Sequence, residues 1–302
     1  MLRRPPADRA SVTTLTVPSD DERTIPRGRY VDLPGLGSIY VREAQGPPRA
    51  PTLVLLHGLG ATAALNWDAV IPPLARRFRV IAPDHRGHGR GLRCGGRFTL
   101  EDCADDVAAL IEALGVGPVL VAGYSMGGPI TQLLARRHPH LVAGMVLVAT
   151  ARDFGGHPIE RLRFAVLTPV VLASRLSPNL PGVMPDFLRH HRLLGTVVAE
   201  LGGHQSRALV AAAAALGRFT SREWIGELTA PAAVVATDGD GLVPVRRQLK
   251  LAASLDAPVV HLDHHHFVAH DDPDALAAAM LEAVDLLPRR VRSRRRRGLV
   301  AA

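Results

Sequence analysis

The sequence predicts an α/β protein with a mostly parallel central sheet, helices on both faces and an inserted helical cap. Three observations predict it. Short apolar runs of strand length alternate with longer amphipathic runs of helix length. That rhythm stops after Thr150 and resumes at Ala232. Finally, Gly123-Tyr124-Ser125-Met126-Gly127 lies where an apolar run gives way to a helical one.

Residues 1–27 are polar and Pro-rich and read as a flexible arm. Residues 29–33 and 38–42 read as two strands joined by the turn Pro34-Gly35-Leu36-Gly37. A buried strand is expected at 52–56, a helix at 67–77 and a strand at 79–82. At 100–114, Leu100, Ala104, Val107, Leu110, Ile111 and Leu114 share one helical face. Strand 119–122, helix 129–137 and strand 145–149 follow. No convincing strand occurs between 152 and 229, where apolar helical pieces at 164–176, 187–201 and 207–216 are punctuated by prolines. Strand 232–236, helix 245–254, strand 258–262 and helix 274–286 close the pattern. The expected organisation is therefore core at 28–151, cap at 152–229, core at 230–288 and a basic tail at 289–302.

Composition narrows the function classes. Hydrophobic residues make up 47% of the 302 positions and charged residues 21%, the proportions of a soluble globular protein. No apolar run reaches the ~18 residues a membrane span requires, and no apolar segment follows the basic start Met1-Leu2-Arg3-Arg4, so neither a span nor a secretory signal is expected. Cys94 and Cys103 cannot make a disulfide framework and are read as reduced thiols, which fits a cytoplasmic location. The net charge of +8 is concentrated in the run Arg289 to Arg297. Its plain reading is a solvated tail; its sharper reading is a weak contact with anionic membrane, which would make the protein peripheral at that surface. No basic and aromatic residues interleave as a nucleic-acid platform would, so no nucleic-acid partner is expected.

Gly-x-Ser-x-Gly between a buried strand and a helix is the sequence form of a turn that presents a serine hydroxyl at a sheet edge. Gly123 and Gly127 are required because a side chain at either position would collide within the turn. Such a hydroxyl needs a base to take its proton and an acid to orient the base. Acid candidates Asp238 and Asp240 follow the strand at 232–236, and base candidates His264, His265, His266 and His270 follow the strand at 258–262. An Asp in a Gly-rich loop is also a common turn former. Adjacent histidines cannot easily converge on one ion, so no metal is expected.

Taken together these residues resemble the α/β-hydrolase superfamily in its cap-bearing branch, over about residues 28–288 with a poorly matching cap. The resemblance implies Asp240 as the acid, three residues before Val243-Pro244, and His266 as the base, seven residues before Pro273 and followed by Phe267. His265 stands where relatives usually carry glycine. His57-Gly58-Leu59-Gly60 matches the loop that supplies half of an oxyanion hole, so the backbone N–H groups of Leu59 and Met126 are the implied donors, with His57 structural. Asp84 to Gly89 matches an architectural turn, which leaves His85 and His88 without a catalytic role. Serine at the elbow, rather than the Asp or Cys of other branches, implies acyl transfer without a cofactor: a carboxylic ester hydrolase acting on a small-molecule ester through an acyl-enzyme on Ser125. The cap's Phe164, Leu167, Val171, Leu172, Met184 and Phe187 suit a lipophilic acyl chain or simply cover the core. A thioesterase, lactonase, C–C bond hydrolase or cofactor-free perhydrolase would use the same residues, and a non-catalytic binding member of the fold is the remaining alternative.

Overall fold

The structure, a computed structural model, describes residues 28–95, 97–155 and 206–287. The expected arm, most of the expected cap, including the pieces at 164–176 and 187–201, and the basic tail lie outside these residues.

The described strands are β1 (Gly28–Leu33), β2 (Gly37–Ala44), β3 (Thr52–Leu56), β4 (Arg79–Pro83), β5 (Val119–Tyr124), β6 (Val142–Val148), β7 (Ala232–Thr237) and β8 (Val259–Leu262). They form one sheet in the order β1-β2-β4-β3-β5-β6-β7-β8. β2 runs antiparallel to both of its neighbours, and every other pair is parallel. The helices are α1 (Ala63–Trp67), α2 (Ile71–Ala75), α3 (Leu100–Leu114), α4 (Gly127–Arg137), α5 (Ser206–Arg218), α6 (Val245–Ser254), α7 (Val268–Asp271) and α8 (Pro273–Leu286).

Strands buried on both faces read as continuous apolar runs, which is why β3, β6 and β7 carry almost no polar residue. Successive side chains point to opposite faces. Val54, Leu56, Val234 and Ala236 join the core shared with α3, α4 and α5, whereas Leu53, Leu55, Ala233 and Val235 join the core shared with α1, α2 and α8. α3 begins where Thr99 Oγ1 accepts the Asp102 N–H at 3.0 Å and ends at Gly115, whose φ of 62° turns the chain out of the helix.

The single helix expected at 67–77 is corrected to two short ones. α1 starts at Thr62, whose hydroxyl accepts the Leu65 N–H at 3.2 Å, and stops at Trp67. Pro72 and Pro73 then open α2. Proline lacks the N–H a continuing helix would use and is favoured in a first turn, so the pair restarts the helix.

The chain that leaves β6 meets the chain that returns toward β7. Phe154 N–H donates to Phe219 O at 3.1 Å, and Ser221 N–H donates to Arg152 O at 2.7 Å. Asp153 takes Arg222 at 2.9 Å from one side and Arg247 at 2.9 Å from the other. The register aligns Leu56 with Gly123, Tyr124 with Val148, Val148 with Val235 and Thr237 with Leu262. The loops after β3, β5, β7 and β8 therefore open at the same sheet edge, where ligands of parallel sheets bind.

Candidate active site

Ser125 directly follows β5 and adopts a φ of 52°. That region is unfavourable for any residue with a side chain, so the surroundings must impose it. They do so by close packing. A Cβ on Gly123 would overlap the Gly127 carbonyl and Thr131 Oγ1, and one on Gly127 would overlap the Leu56 carbonyl. The turn closes through Ser125 N–H to Val148 O at 3.0 Å, while Thr150 Oγ1 donates to Ser125 O at 2.7 Å. α4 begins at once at Gly127, and the Gly128 N–H donates to Ser125 O at 2.9 Å.

Ser125 Oγ lies 3.0 Å from His266 Nε2, and His266 Nδ1 lies 2.7 Å from Asp240 Oδ2. All three residues are buried. An ionised carboxylate only accepts, so Nδ1 carries the imidazole proton and Nε2 turns its lone pair to Ser125. Asp240 Oδ1 accepts the N–H groups of Leu242 and Val243, each at 2.8 Å, and Oδ2 also accepts the Thr237 hydroxyl at 2.9 Å. Burial pushes the Asp240 carboxyl up, but the His266 hydrogen bond and charge, the Val243 N–H and the Thr237 hydroxyl outweigh it and hold the carboxyl below its usual range.

The competing candidates go elsewhere. Asp238 is exposed and pairs with His261 at 2.8 Å. His264 faces Asp272 at 3.5 Å and His265 faces Asp271 at 3.2 Å. The backbone of the His266 loop is fixed by the Tyr124 hydroxyl, which donates to His266 O. Burial, followed by the Asp240 charge, pushes the Tyr124 phenol up, so it remains a donor.

The loop after β3 is held by an imidazole, an amide and a carboxylate. His57 Nε2 accepts the His85 N–H at 3.0 Å, which assigns the ring proton to Nδ1, 2.8 Å from Gly58 O. Asn66 Oδ1 accepts the Gly58 N–H at 2.8 Å. With both polar groups of Gly58 occupied, the next N–H in line is that of Leu59; among the described residues no acceptor takes the Leu59 or the Met126 N–H. Asp84 supports the loop by accepting Ala63 N–H at 2.8 Å and Arg90 N–H at 2.9 Å. Burial and the neighbouring His88 push the fully buried His85 down to about 3, so it stays neutral.

Among the described residues no group of three or more His, Cys, Asp or Glu side chains is arranged to hold a metal ion, and no helix is long and apolar enough to cross a membrane.

A family model described as the alpha/beta hydrolase fold matches residues 51–192. A protein of Agrobacterium fabrum, provisionally named carbamate hydrolase RutD, is 31% identical over 247 residues, covering 77% of this chain and 92% of that protein. The chain belongs to the α/β-hydrolase fold family. Among solved structures, a hydrolase from Pseudomonas aeruginosa PA01 superposes on this α/β-hydrolase with a TM-score of 0.73 at 28% identity, covering 85% of this chain and 98% of that one. A serine hydrolase involved in carbazole degradation gives a TM-score of 0.64 at 26% identity, covering 86% and 99%.

Four supports of this α/β-hydrolase site are not signalled as such by the sequence motifs: Tyr124, Asn66, Thr237 and Gln248. Only Gln248 left a trace. It occupies a stripe position of α6 shared with the buried Leu251 and Ala252, where a polar residue is out of place.

Proposed function

We propose that this chain is a serine hydrolase that cleaves carboxylic esters through an acyl-enzyme on Ser125. The observation that carries the reading is the chain of contacts from Ser125 Oγ to His266 Nε2 at 3.0 Å and from His266 Nδ1 to Asp240 Oδ2 at 2.7 Å, at the shared edge of the parallel strands. In this reading Ser125 Oγ attacks the ester carbonyl carbon while His266 Nε2 takes the hydroxyl proton. The carbonyl π electrons move to oxygen, and the N–H groups of Leu59 and Met126 receive the negative charge. The tetrahedral species collapses, the bond to the leaving oxygen breaks, and His266 gives that oxygen its proton. Water then attacks the acyl carbon with His266 as base, releasing the acid and regenerating Ser125. Asp240 stays ionised throughout and keeps the imidazole in the productive tautomer.

The serine assignment draws further support from the carbazole-degradation serine hydrolase at 26% identity. The apolar residues of segment 152–229 favour a lipophilic acyl chain. The relative named as a carbamate hydrolase supports a second reading, in which the same groups open a carbamate.

The deciding experiment is intact-mass analysis after treatment with a small fluorophosphonate, followed by a p-nitrophenyl ester chain-length panel with carbamates alongside. One adduct on the wild-type protein, none on Ser125→Ala, and turnover of medium-chain esters are expected. A folded wild-type protein that takes no adduct would refute the reading.

A further inference from the structure

The acid of this site is gripped from α6. Gln248 is fully buried, so its amide must find every partner within the protein. Oε1 accepts the Thr237 N–H at 3.1 Å. Nε2 donates to Val243 O at 2.8 Å and to Thr237 Oγ1 at 3.0 Å, with Asp240 Oδ2 at 3.4 Å. The amide cannot be turned over, because the exchange would set oxygen against the Val243 carbonyl and NH2 against the Thr237 N–H.

Two consequences converge on Asp240. A hydroxyl has one proton, and Thr237 Oγ1 already accepts from Gln248, so its proton is directed to Asp240 Oδ2 at 2.9 Å. Val243, whose carbonyl Gln248 binds, is the residue whose N–H donates to Asp240 Oδ1 at 2.8 Å. One buried amide therefore ties the end of β7 to the acid loop and orients two of the donors on the carboxylate. Among the described residues, His266 acts on Asp240 in direct contact, and Tyr124 feels the Asp240 charge through space.

We propose that Gln248 is a positioning residue of the Asp240–His266 pair, acting through Thr237 and Val243 to set how strongly the carboxylate holds the imidazole proton. This rests on the serine-hydrolase reading above. The competing role is purely architectural, the docking of α6 on β7, which would change stability and leave the titration of the pair alone.

The test uses the full chain with p-nitrophenyl butyrate and four variants: Gln248→Met, Thr237→Val, Thr237→Ser and the Gln248→Met/Thr237→Val double. Gln248→Met keeps the side-chain length and removes its polar atoms. Losing hydrogen bonds that lead to a charged group should lower kcat about ten-fold with KM unchanged. The acidic limb of the kcat–pH profile should move to higher pH by roughly half to one unit, because a carboxylate with poorer donors is the stronger base and the coupled pair gives up its proton later. Thr237→Val should show the same shift, Thr237→Ser the wild-type profile, and the double variant little more than the worse single. An unmoved acidic limb in folded Gln248→Met, or effects that multiply in the double, would overturn the proposal. If Gln248→Met does not fold, Thr237→Val decides: an unmoved limb there overturns it as well. Failure of the serine-hydrolase reading is separately visible, since the wild-type protein would then take no fluorophosphonate adduct.

Discussion

Two halves of one site meet across the 3.0 Å between Ser125 and His266, and they are built differently. The Ser125 side, formed by the loops after β3 and β5, is set chiefly by tight packing of backbone. Its turn survives only because Gly123 and Gly127 add no side chain against Thr131 and Leu56, and its loop is tied by the His57 imidazole and the Asn66 amide, with the Asp84 carboxylate behind them. The Asp240–His266 side, formed by the loops after β7 and β8, is set around a charge, a carboxylate that takes side-chain donors from Thr237 and His266 and the backbone N–H groups of Leu242 and Val243. The physical reason lies in the task of each side. A serine must be thrust into a strained conformation, which rigid backbone packing does best, whereas a buried charge needs donors on every lone pair.

The largest effect is expected on the charged side. Asp240→Asn keeps the shape but no longer fixes the imidazole proton at Nδ1, and kcat should fall by roughly 10⁴-fold with the fold intact. Ester turnover together with circular dichroism checks both halves of that statement, and a loss below a hundred-fold would show that shape matters more than charge there.

The Ser125 side should instead reveal itself through pH. His85 is buried uncharged and is pushed down to about 3, while an unfolded histidine takes its proton near 6.5. The unfolded chain therefore binds more protons between these values. Stability contributed by this group is complete above pH 6.5 and declines as pH falls toward 3, by about 1.4 kcal/mol per pH unit. Urea unfolding of the wild-type protein and His85→Gln across this window should show a flatter dependence in the variant. Equal slopes would mean that His85 finds a compensating acceptor when charged.

A smaller effect sharpens the contrast. Asn66→Ala leaves the buried Gly58 N–H without its acceptor and loosens the loop that carries Leu59. Because the proposed Leu59 donor itself remains, the loss in kcat should be about ten-fold, less than the ~10²–10³ seen when a donor is removed. Steady-state kinetics with KM unchanged is the check; a change confined to KM would place the loop in substrate binding instead.

The two halves also differ in how plainly the sequence shows them. The elbow was legible because its constraint is local: glycine, serine and glycine must stand at fixed spacing between a strand and a helix. The acid and base were legible only as clusters until family spacing favoured Asp240 and His266. The clusters separate in space for a tertiary reason. Asp238 is exposed and pairs with His261; His264 faces Asp272, His265 faces Asp271, and His266 turns inward over Tyr124. The broken helix before β4 is hidden in the sequence by the apolar period of 67–77, although the pair Pro72 and Pro73 is the stronger signal.

By itself the sequence determined the strand–helix alternation, the turn that strains Ser125 and the short menu of acids and bases, because each follows from spacing along the chain. The tertiary structure decided which members of that menu meet and what holds them: Tyr124 under the His266 loop, Asn66 on Gly58, and Thr237 with Gln248 around Asp240. Those contacts join residues from three to 142 positions apart, most of them on different elements. A buried polar group takes whatever partner the packing brings within reach, and packing is a property of the folded sheet rather than of any local stretch of chain.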